Sequence, residues 1–197
     1  KRTMGKKGKM LLAIAAIVVV LGLVTALLRY NAIKTYTQYD VVSATETSGD
    51  NIADYTVFAG NVLKVTKDGA SYIDEKGVTK WDVSYAMKMP HAEVCGNYAI
   101  VADMNGKDVY VFNVDGEVSR QTLAYDISNV DIAEQGVYTL VLVGEDCNYI
   151  NGYDKDSNTI YELKTTIDKS GYPMDIDISN DGQKLVTSYM KIQGTKV

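Results

Sequence analysis

One stretch near the amino terminus, residues 10–28, constrains the fold of this chain more than any other. It reads MLLAIAAIVVVLGLVTALL and contains no charged residue, with Thr25 as its clearly polar member. As an α-helix rising about 1.5 Å per residue, it would be about 28 Å long, close to the ~30 Å hydrocarbon thickness of a bilayer. Because a helix satisfies its own backbone hydrogen bonds, it can cross lipid without stranding polar groups. We therefore predict a transmembrane helix over residues 10–28.

The charges on the two sides of this stretch differ in sign. Residues 1–9 contain five Lys or Arg and no Asp or Glu, which predicts a cytoplasmic amino terminus and an extracytoplasmic remainder. Residues 31–197 contain 14 basic against 25 acidic side chains, a formal net charge of −11. Such a domain repels phosphate backbones, so nucleic acid is a poor partner. No Asn-x-Ser/Thr sequence occurs, which favours a bacterial cell membrane.

A cleaved signal peptide is the alternative interpretation of the same stretch. Val24-Thr25-Ala26 offers small residues suited to cleavage. The apolar run is longer than the core of about 7–15 residues that is usual in a signal peptide. Its length therefore favours a retained, single-pass anchor.

The chain after the anchor changes character twice. Residues 29–54 are rich in Thr, Ser, Ala, Asp and Tyr without apolar periodicity, and we interpret them as a linker. From Tyr55 onward, short runs of β-branched and aromatic residues alternate with Asp-Gly and Asn-Gly turns, which is the pattern of β-hairpins. We therefore predict an all-β domain over residues 55–197.

The turns of this domain recur with a long period. Turn glycines near the end of the first strand of successive repeats are Gly60, Gly96, Gly136 and Gly182, and the turn before the fourth strand recurs at Gly77, Gly116 and about Ser157. Four strands in roughly 40–45 residues is the period of β-propeller blades, whereas a simple sandwich gives no reason for a fourfold superperiod. The sequence thus predicts a β-propeller-like domain with about three blades and part of a fourth.

The number of predicted strands is too small for a closed propeller, which needs about four to eight blades. We expect either a chain truncated at its carboxyl end or sheets that stay open. Residues 55–197 alone should then self-associate or melt early, because a half-built fourth blade leaves unpaired strand edges. The strand residues expected in the core include Ile100, Val101, Val109, Val111, Leu140, Leu142 and Ile176.

Short segments along the chain resemble a protein family of unknown function. The segments that carry the resemblance are Lys80-Trp81, Cys95–Tyr98, Ala102-Asp103, Val109–Phe112, Lys164–Thr166, Ser170–Pro173 and Ser179–Gly182. The family comprises single-span, extracytoplasmic, propeller-like proteins of Firmicutes, especially of the clostridial branch. The resemblance runs from the basic amino terminus to Val197 and implies that relatives continue for about as long again. It implies no activity, because none is established for the family.

Four acidic residues are candidates for a functional site. Glu93, Asp131 and Asp175 each stand between two apolar residues in equivalent first strands, and Asp177 repeats the face of Asp175. First strands line the central channel of a propeller, and strand alternation turns each acid away from its apolar neighbours. The set could bind a cation or a basic peptide. Solvated channel residues without a ligand are the alternative.

The residue inventory excludes several other sites. His91 is the single histidine, which excludes a multi-histidine metal centre. Arg120 is the single arginine after Arg29, which excludes the arginine cluster of sialidase-type propellers and of phosphate sites. Asp154–Asn158 begins like an EF-hand loop but has Thr159 and Thr165 where that loop needs Gly and Glu, so we predict a polar hairpin turn. We expect no cofactor.

Two residue types bear on packing. Cys95 lies in an apolar strand and Cys147 at a turn, so we expect buried free thiols rather than a disulfide. Trp81, in a fourth strand, is expected to pack against its neighbours.

Together these features favour a membrane-anchored binding or scaffolding module, not an enzyme, with a protein or the cell wall as its partner. A propeller-based enzyme of the lactonase or lyase type is one alternative. A structural subunit of an envelope complex is the other, and an exposed apolar patch would favour it.

Overall fold

The computed structural model describes residues 6–33 and 52–191. The chain divides into two compact units, Lys1–Val42 and Ser43–Val197. The described part of the first unit is a helix, α1 (Lys6–Ile33). It extends past the predicted span at both ends and includes Arg29–Ile33, which the sequence assigned to the linker. Basic and aromatic residues are compatible with a helix at the edge of a membrane span. Composition alone therefore does not show where the helix ends.

The apolar side chains of α1 occur on every face of the helix, whereas an amphipathic surface helix confines them to one face. Its segment Ile14–Ala32 is long and apolar enough to cross a bilayer, and every side chain in that segment is exposed within the unit. A membrane span and a signal sequence both fit these properties.

The described part of the second unit consists of four antiparallel sheets, which we call blades 1–4. Blade 1 contains β1 (Asp54–Phe58), β2 (Asn61–Thr66), β3 (Gly69–Ile73) and β4 (Thr79–Ser84). Blade 2 contains β5 (Pro90–Cys95), β6 (Tyr98–Asp103), β7 (Asp108–Asn113) and β8 (Gly116–Thr122). Blade 3 contains β9 (Asp126–Ile132), β10 (Tyr138–Val143), β11 (Asn148–Tyr153) and β12 (Thr159–Thr165). Blade 4 contains β13 (Tyr172–Ile178) and β14 (Leu185–Met190).

Tight turns join the strands at the predicted positions. The turn between the first and second strands of the blades contains a positive φ angle at Gly60 (80°), Gly96 (58°), Gly136 (83°) and Gly182 (66°). The turn before the fourth strand does so at Gly77, Gly116 and Ser157. Glycine adopts this left-handed conformation without the steric cost of a Cβ, so the glycine spacing reveals the hairpins.

The core lies between neighbouring blades. Strand alternation directs Ala99 and Val101 of β6 into the cluster shared with blade 1, and Ile100 and Ala102 into the cluster shared with blade 3. All four side chains are fully buried. Middle strands are apolar on both faces because a neighbouring blade covers each face. The seven predicted core residues named above all lie in strands and are buried, as predicted.

Trp81 packs where blades 1 and 2 meet, as predicted. Its ring stacks on Tyr72 of β3 and on Phe112 of β7, with centroid distances of 5.6 and 5.1 Å. Its indole N–H donates a hydrogen bond to the carbonyl of Val114 at 3.2 Å. The aromatic stack thus connects β3 and β4 of blade 1 with β7 of blade 2. Small aliphatic side chains could not reach across this distance.

The first strands β1, β5, β9 and β13 are successive neighbours in space. This arrangement confirms the predicted fold class, an all-β, propeller-like domain of three four-stranded blades and a two-stranded part of a fourth. In blade 3 the first strand begins at Asp126, five residues before the Asp131 position that indicates this strand in the sequence. A register shift between Val141 and Leu142 of the partner strand interrupts the regular alternation there, which hides the start of β9 in the sequence.

Candidate functional site

The four acidic residues selected from the sequence line one cleft of about 280 Å³. Glu93 comes from β5, Asp131 from β9, and Asp175 and Asp177 from β13. Asn129 of β9 adds an amide to the same wall. The cleft exists because the first strands of three successive blades are neighbours and direct their polar faces to the same space.

Asp177 is the structural counterpart of Asp131. Each immediately precedes a buried isoleucine that ends its strand, Ile132 in β9 and Ile178 in β13. Asp175 therefore corresponds to Asn129, although the triplet pattern had aligned Asp175 with Asp131. The register of the hairpins shows which residues correspond. The triplet pattern in the sequence alone does not show this.

The carboxylate of Asp131 connects blade 3 to blade 4. One oxygen accepts a hydrogen bond from the backbone N–H of Ile178 at 2.6 Å, and the other accepts from the N–H of Ile132 at 2.8 Å. Burial is the largest influence on the pKa of Asp131 and raises it, whereas these two donors favour the ionised form and lower it. Asp177 and Glu93 raise this pKa further by charge repulsion.

Two of the other acids also have partners within the domain. Asp175 accepts a hydrogen bond from the side-chain amide of Asn129 at 2.8 Å, which is a second connection between β9 and β13. The Glu93 carboxylate lies 2.9 Å from the Nε2 atom of His91 on the exposed part of β5. The cleft is therefore in part an inter-blade joint, in which the carboxylates of Asp175 and Asp177 are both exposed.

The chemistry available in this cleft is that of hydrogen-bond acceptors. Cys95 lines the same wall, but burial, Glu134 and Asp131 raise the pKa of its thiol, which disfavours the nucleophilic thiolate. Within residues 6–33 and 52–191, no three His, Cys, Asp or Glu side chains are placed to hold a metal ion. Both Cys95 and Cys147 are free thiols.

The Asp154–Asn158 segment is a polar hairpin turn, as predicted. One carboxylate oxygen of Asp154 accepts hydrogen bonds from the backbone N–H groups of Asp156 and Asn158, at 3.0 and 2.8 Å. The side-chain amide of Asn158 donates to the other oxygen at 2.9 Å. These bonds lower the pKa of Asp154, and they engage the oxygens that a calcium ion would need.

A second, larger cleft of about 480 Å³ was not foreseen from the sequence. Tyr125, in the connection between blades 2 and 3, stacks on Tyr149 of β11 with a centroid distance of 4.9 Å. Hydrogen bonding with Cys147 and then with Tyr125 raises the pKa of Tyr149. The wall carries charges of both signs, from Lys107 and Lys164 and from the carboxylates of Asp126, Glu145 and Asp146. The excess of Tyr over Phe was the available sequence signal, but it could not show which rings meet.

The repeated four-stranded sheets with adjacent first strands define a β-propeller-like protein. Within that class, the chain belongs to DUF5711, a family of unknown function whose sequence profile matches residues 32–197. No curated protein matches the chain in sequence.

Solved structures of similar fold come from several organisms. The Hsv2 protein of Kluyvelomyces marxianus aligns with a TM-score of 0.56 at 13% identity, over 80% of this chain and 52% of that one. BamB from Moraxella catarrhalis aligns with a TM-score of 0.47 at 14% identity, over 68% and 41%. The Pan2 WD40 domain of Neurospora crassa aligns with a TM-score of 0.44 at 13% identity, over 64% and 39%. The chain spans about half the length of these structures or less, and the likeness concerns the fold alone.

Proposed function

We propose that this chain is a membrane-anchored binding or scaffolding module, held by α1 in a bacterial cell membrane with its propeller-like domain outside the cytoplasm. The observation that carries the anchoring is a helix with apolar side chains on every side, including the 19-residue segment Ile14–Ala32. Five basic residues in the first nine positions support a cytoplasmic amino terminus. The family resemblance supports a source among the Firmicutes, in the clostridial branch.

Inter-blade clefts support a binding role for the domain. The acidic cleft presents carboxylates, and the larger cleft presents the stacked rings of Tyr125 and Tyr149 beside two lysines and three carboxylates. Aromatic rings that carry a hydroxyl group suit recognition because they combine apolar area with a polar edge. We therefore propose a protein or a cell-wall component as the partner, and binding rather than catalysis as the role.

A topology experiment tests the anchor. Protease added to intact cells or spheroplasts should remove an epitope at the carboxyl end while the membrane helix stays in the membrane fraction. Digestion that requires cell lysis would contradict the extracytoplasmic location. Release of the whole chain into the medium would indicate a cleaved signal peptide instead.

A cross-linking experiment tests the binding role. A photoreactive amino acid replaces Tyr125 in the larger cleft or, as a control, Val114 at a distant turn; their exposed fractions are nearly equal, 38% and 36%. We expect a discrete cross-linked partner in cell envelopes from the Tyr125 position and a much weaker one from Val114. Equal products at both positions would contradict a specific site, and substrate turnover by the purified chain would favour the lactonase or lyase alternative.

A further inference from the structure

The larger cleft has the size and the mixed lining of a small-molecule binding site. Its volume of about 480 Å³ falls within the range of about 300–1,000 Å³ that is usual for such sites. It lies where the connection between blades 2 and 3 meets the turn between β10 and β11. Stacked tyrosine rings and charged side chains form its walls, and their arrangement limits the class of ligand that it can hold.

Tyr125 offers an open ring face in this cleft. Tyr149 stacks on one face of its ring, at a centroid distance of 4.9 Å and an interplanar angle of 15°. Tyr125 is nevertheless 38% exposed, so its accessible area lies on the other face and the edges of the ring. The face of an aromatic ring is negatively polarised and attracts the C–H groups of a ligand that lies flat against it. The cleft therefore presents a platform for a ligand with a flat C–H face.

Hydrogen bonds hold the backbone on both sides of Tyr125. The N–H of Leu123 donates to the carbonyl of Lys107 at 2.8 Å. The N–H of Ile127 donates to the carbonyl of Gly106, also at 2.8 Å. Because the connection is fixed before a ligand arrives, little conformational freedom is lost when one binds.

The turn between β10 and β11 fixes the second ring. Tyr149 hydrogen-bonds with Cys147, which is itself buried. The N–H of Gly144 donates to the carbonyl of Cys147 at 3.0 Å and closes the turn. A side chain at Gly144 would meet that carbonyl oxygen at 2.7 Å and both tyrosine rings at 3.4 Å. The glycine thus lets the turn pack closely against the stacked pair.

The charges that line the cleft nearly cancel. They belong to five exposed side chains, those of Lys107, Lys164, Asp126, Glu145 and Asp146. None of these side chains forms an ion pair within the part of the chain that the structure describes. The Lys107 ammonium group instead donates a hydrogen bond to the carbonyl of Ala124 at 3.0 Å. The cleft thus offers hydrogen-bond donors and acceptors without a strong field that would select an anionic or a cationic ligand.

We propose that the larger cleft binds a neutral saccharide, with the C–H face of one pyranose ring against the ring of Tyr125. Sugar hydroxyl groups both donate and accept hydrogen bonds, so they can use the carboxylates as acceptors and Lys164 as a donor. A charged peptide gains little from a wall whose charges nearly cancel, and its backbone offers no flat C–H face for the platform. The inference rests on the proposed binding role of this cleft and names a glycan, rather than a protein, as the partner.

Charge-matched sugars test the ligand class on the unaltered chain. The full chain in detergent is titrated with neutral tetrasaccharides of N-acetylglucosamine and of galactose, and calorimetry measures the dissociation constants. The tetrasaccharides of glucosamine and of galacturonic acid keep the ring shapes and add positive or negative charges. We expect at least one neutral sugar to bind at least about tenfold more tightly than its charged counterpart, with little dependence on salt concentration. Binding of neither neutral sugar, or tighter binding of the charged ones, would overturn the proposal.

Substitutions of Tyr125 test the platform. Tyr125→Ala should weaken binding of the neutral sugar about tenfold or more, whereas Tyr125→Phe keeps the ring and should change it less than about threefold. Tyr189→Ala on β14 is the matched control, because Tyr189 is 42% exposed and lies outside the cleft. Equal losses from Tyr125→Ala and Tyr189→Ala would overturn the proposal. The far-ultraviolet circular dichroism of each variant checks that it is folded.

The photoreactive group at position 125 separates failure of this inference from failure of the binding role. A cross-link to an envelope component that the neutral tetrasaccharide prevents, and its charged counterpart does not, supports both. A cross-link to an envelope protein that no sugar prevents contradicts the saccharide alone and keeps the binding role. Equal products from the Tyr125 and Val114 positions contradict the binding role and this inference with it.

Discussion

Two inter-blade interfaces of the same domain are built differently. Between blades 2 and 3, a large cluster of aliphatic and tyrosine side chains is buried, with Ile100, Val109 and Leu140 fully inaccessible. Between blades 3 and 4, the corresponding cluster contains three buried residues, Val141, Ile150 and Ile176.

Hydrogen bonds supplement the smaller interface. Asp131 accepts the N–H of Ile178, Asn129 donates to Asp175, and the Gln135 amide donates to the Asp181 carbonyl. The comparison shows that a two-stranded blade with little apolar area to bury is held to its neighbour largely by polar contacts along the first strand.

The largest expected loss of stability comes from a substitution in the apolar interface. Leu140→Ala removes a fully buried side chain between blades 2 and 3 and should lower the free energy of unfolding by about 2–5 kcal/mol, through lost burial and a residual cavity. Chemical denaturation of the chain in detergent measures it. Val186→Ala on blade 4, where Val186 is 69% exposed, is the control and should change stability by less than about 0.5 kcal/mol. Equal losses would contradict the burial argument.

The next largest loss of stability is expected from a substitution in the polar interface. Asp131→Ala leaves the N–H groups of Ile178 and Ile132 without their carboxylate acceptor and should cost about 1–3 kcal/mol. Amide hydrogen exchange at Ile178 should accelerate, because β13 loses its connection to β9. Asp177→Ala, an exposed carboxylate in the same cleft, should leave exchange at Ile178 nearly unchanged. If both substitutions accelerate exchange equally, Asp131 has no special role between the blades.

The polar interface should also respond to pH. Because burial raises the pKa of Asp131 in the folded chain, the pH-dependent part of its contribution to stability is fully present below the ordinary value of 3.8 and is lost as the pH rises through the folded pKa, while its hydrogen bonds remain. The stability of the wild type relative to Asp131→Asn should therefore decrease above pH 3.8, which denaturation at several pH values measures. A relative stability that increases over that range would contradict the assignment.

The pKa values of three turn carboxylates shift in the opposite direction to that of Asp131, so these groups serve as an internal reference. Hydrogen bonds lower the pKa values of Asp74, Asp154 and Asp181, the strongest being with Lys80, Asn158 and Ser179, respectively. Their contributions are present above pH 3.8 and are lost as the pH falls through their folded pKa values. Asp154→Asn should therefore remove part of the acid destabilisation, whereas Asp131→Asn should not.

The smallest expected loss of stability comes from one exposed hydrogen bond of the polar interface. Gln135→Ala deletes the exposed hydrogen bond to the Asp181 carbonyl and should cost about 0.5–1 kcal/mol. Hydrogen exchange in β13 and β14 reports the loss. Gln183→Ala is the matched control, because Gln183 contacts Asp181 through its backbone N–H, which the substitution retains. A larger effect from Gln183→Ala would show that the turn itself, rather than the inter-blade bond, controls this blade.

The sequence by itself determined the fold class and most element boundaries. Turn glycines such as Gly96 and Gly136 report a local backbone requirement, and the alternation in strands such as β6 and β10 reports burial on known faces. The uncharged, mostly apolar stretch at residues 10–28 identified the helix in the same way. These signals are local, so they can be read along one chain. The acidic set could also be nominated, because each acid stands out within its own strand.

The tertiary structure alone decided what these residues do. Which acid matches Asp131 depends on hairpin register, and its role depends on Ile178, forty-seven positions away. The meeting of Tyr125 with Tyr149 depends in the same way on residues far apart in sequence. Periodicity along one strand records which face is buried but not which blade covers it, because side-chain contacts between blades join residues far apart in sequence.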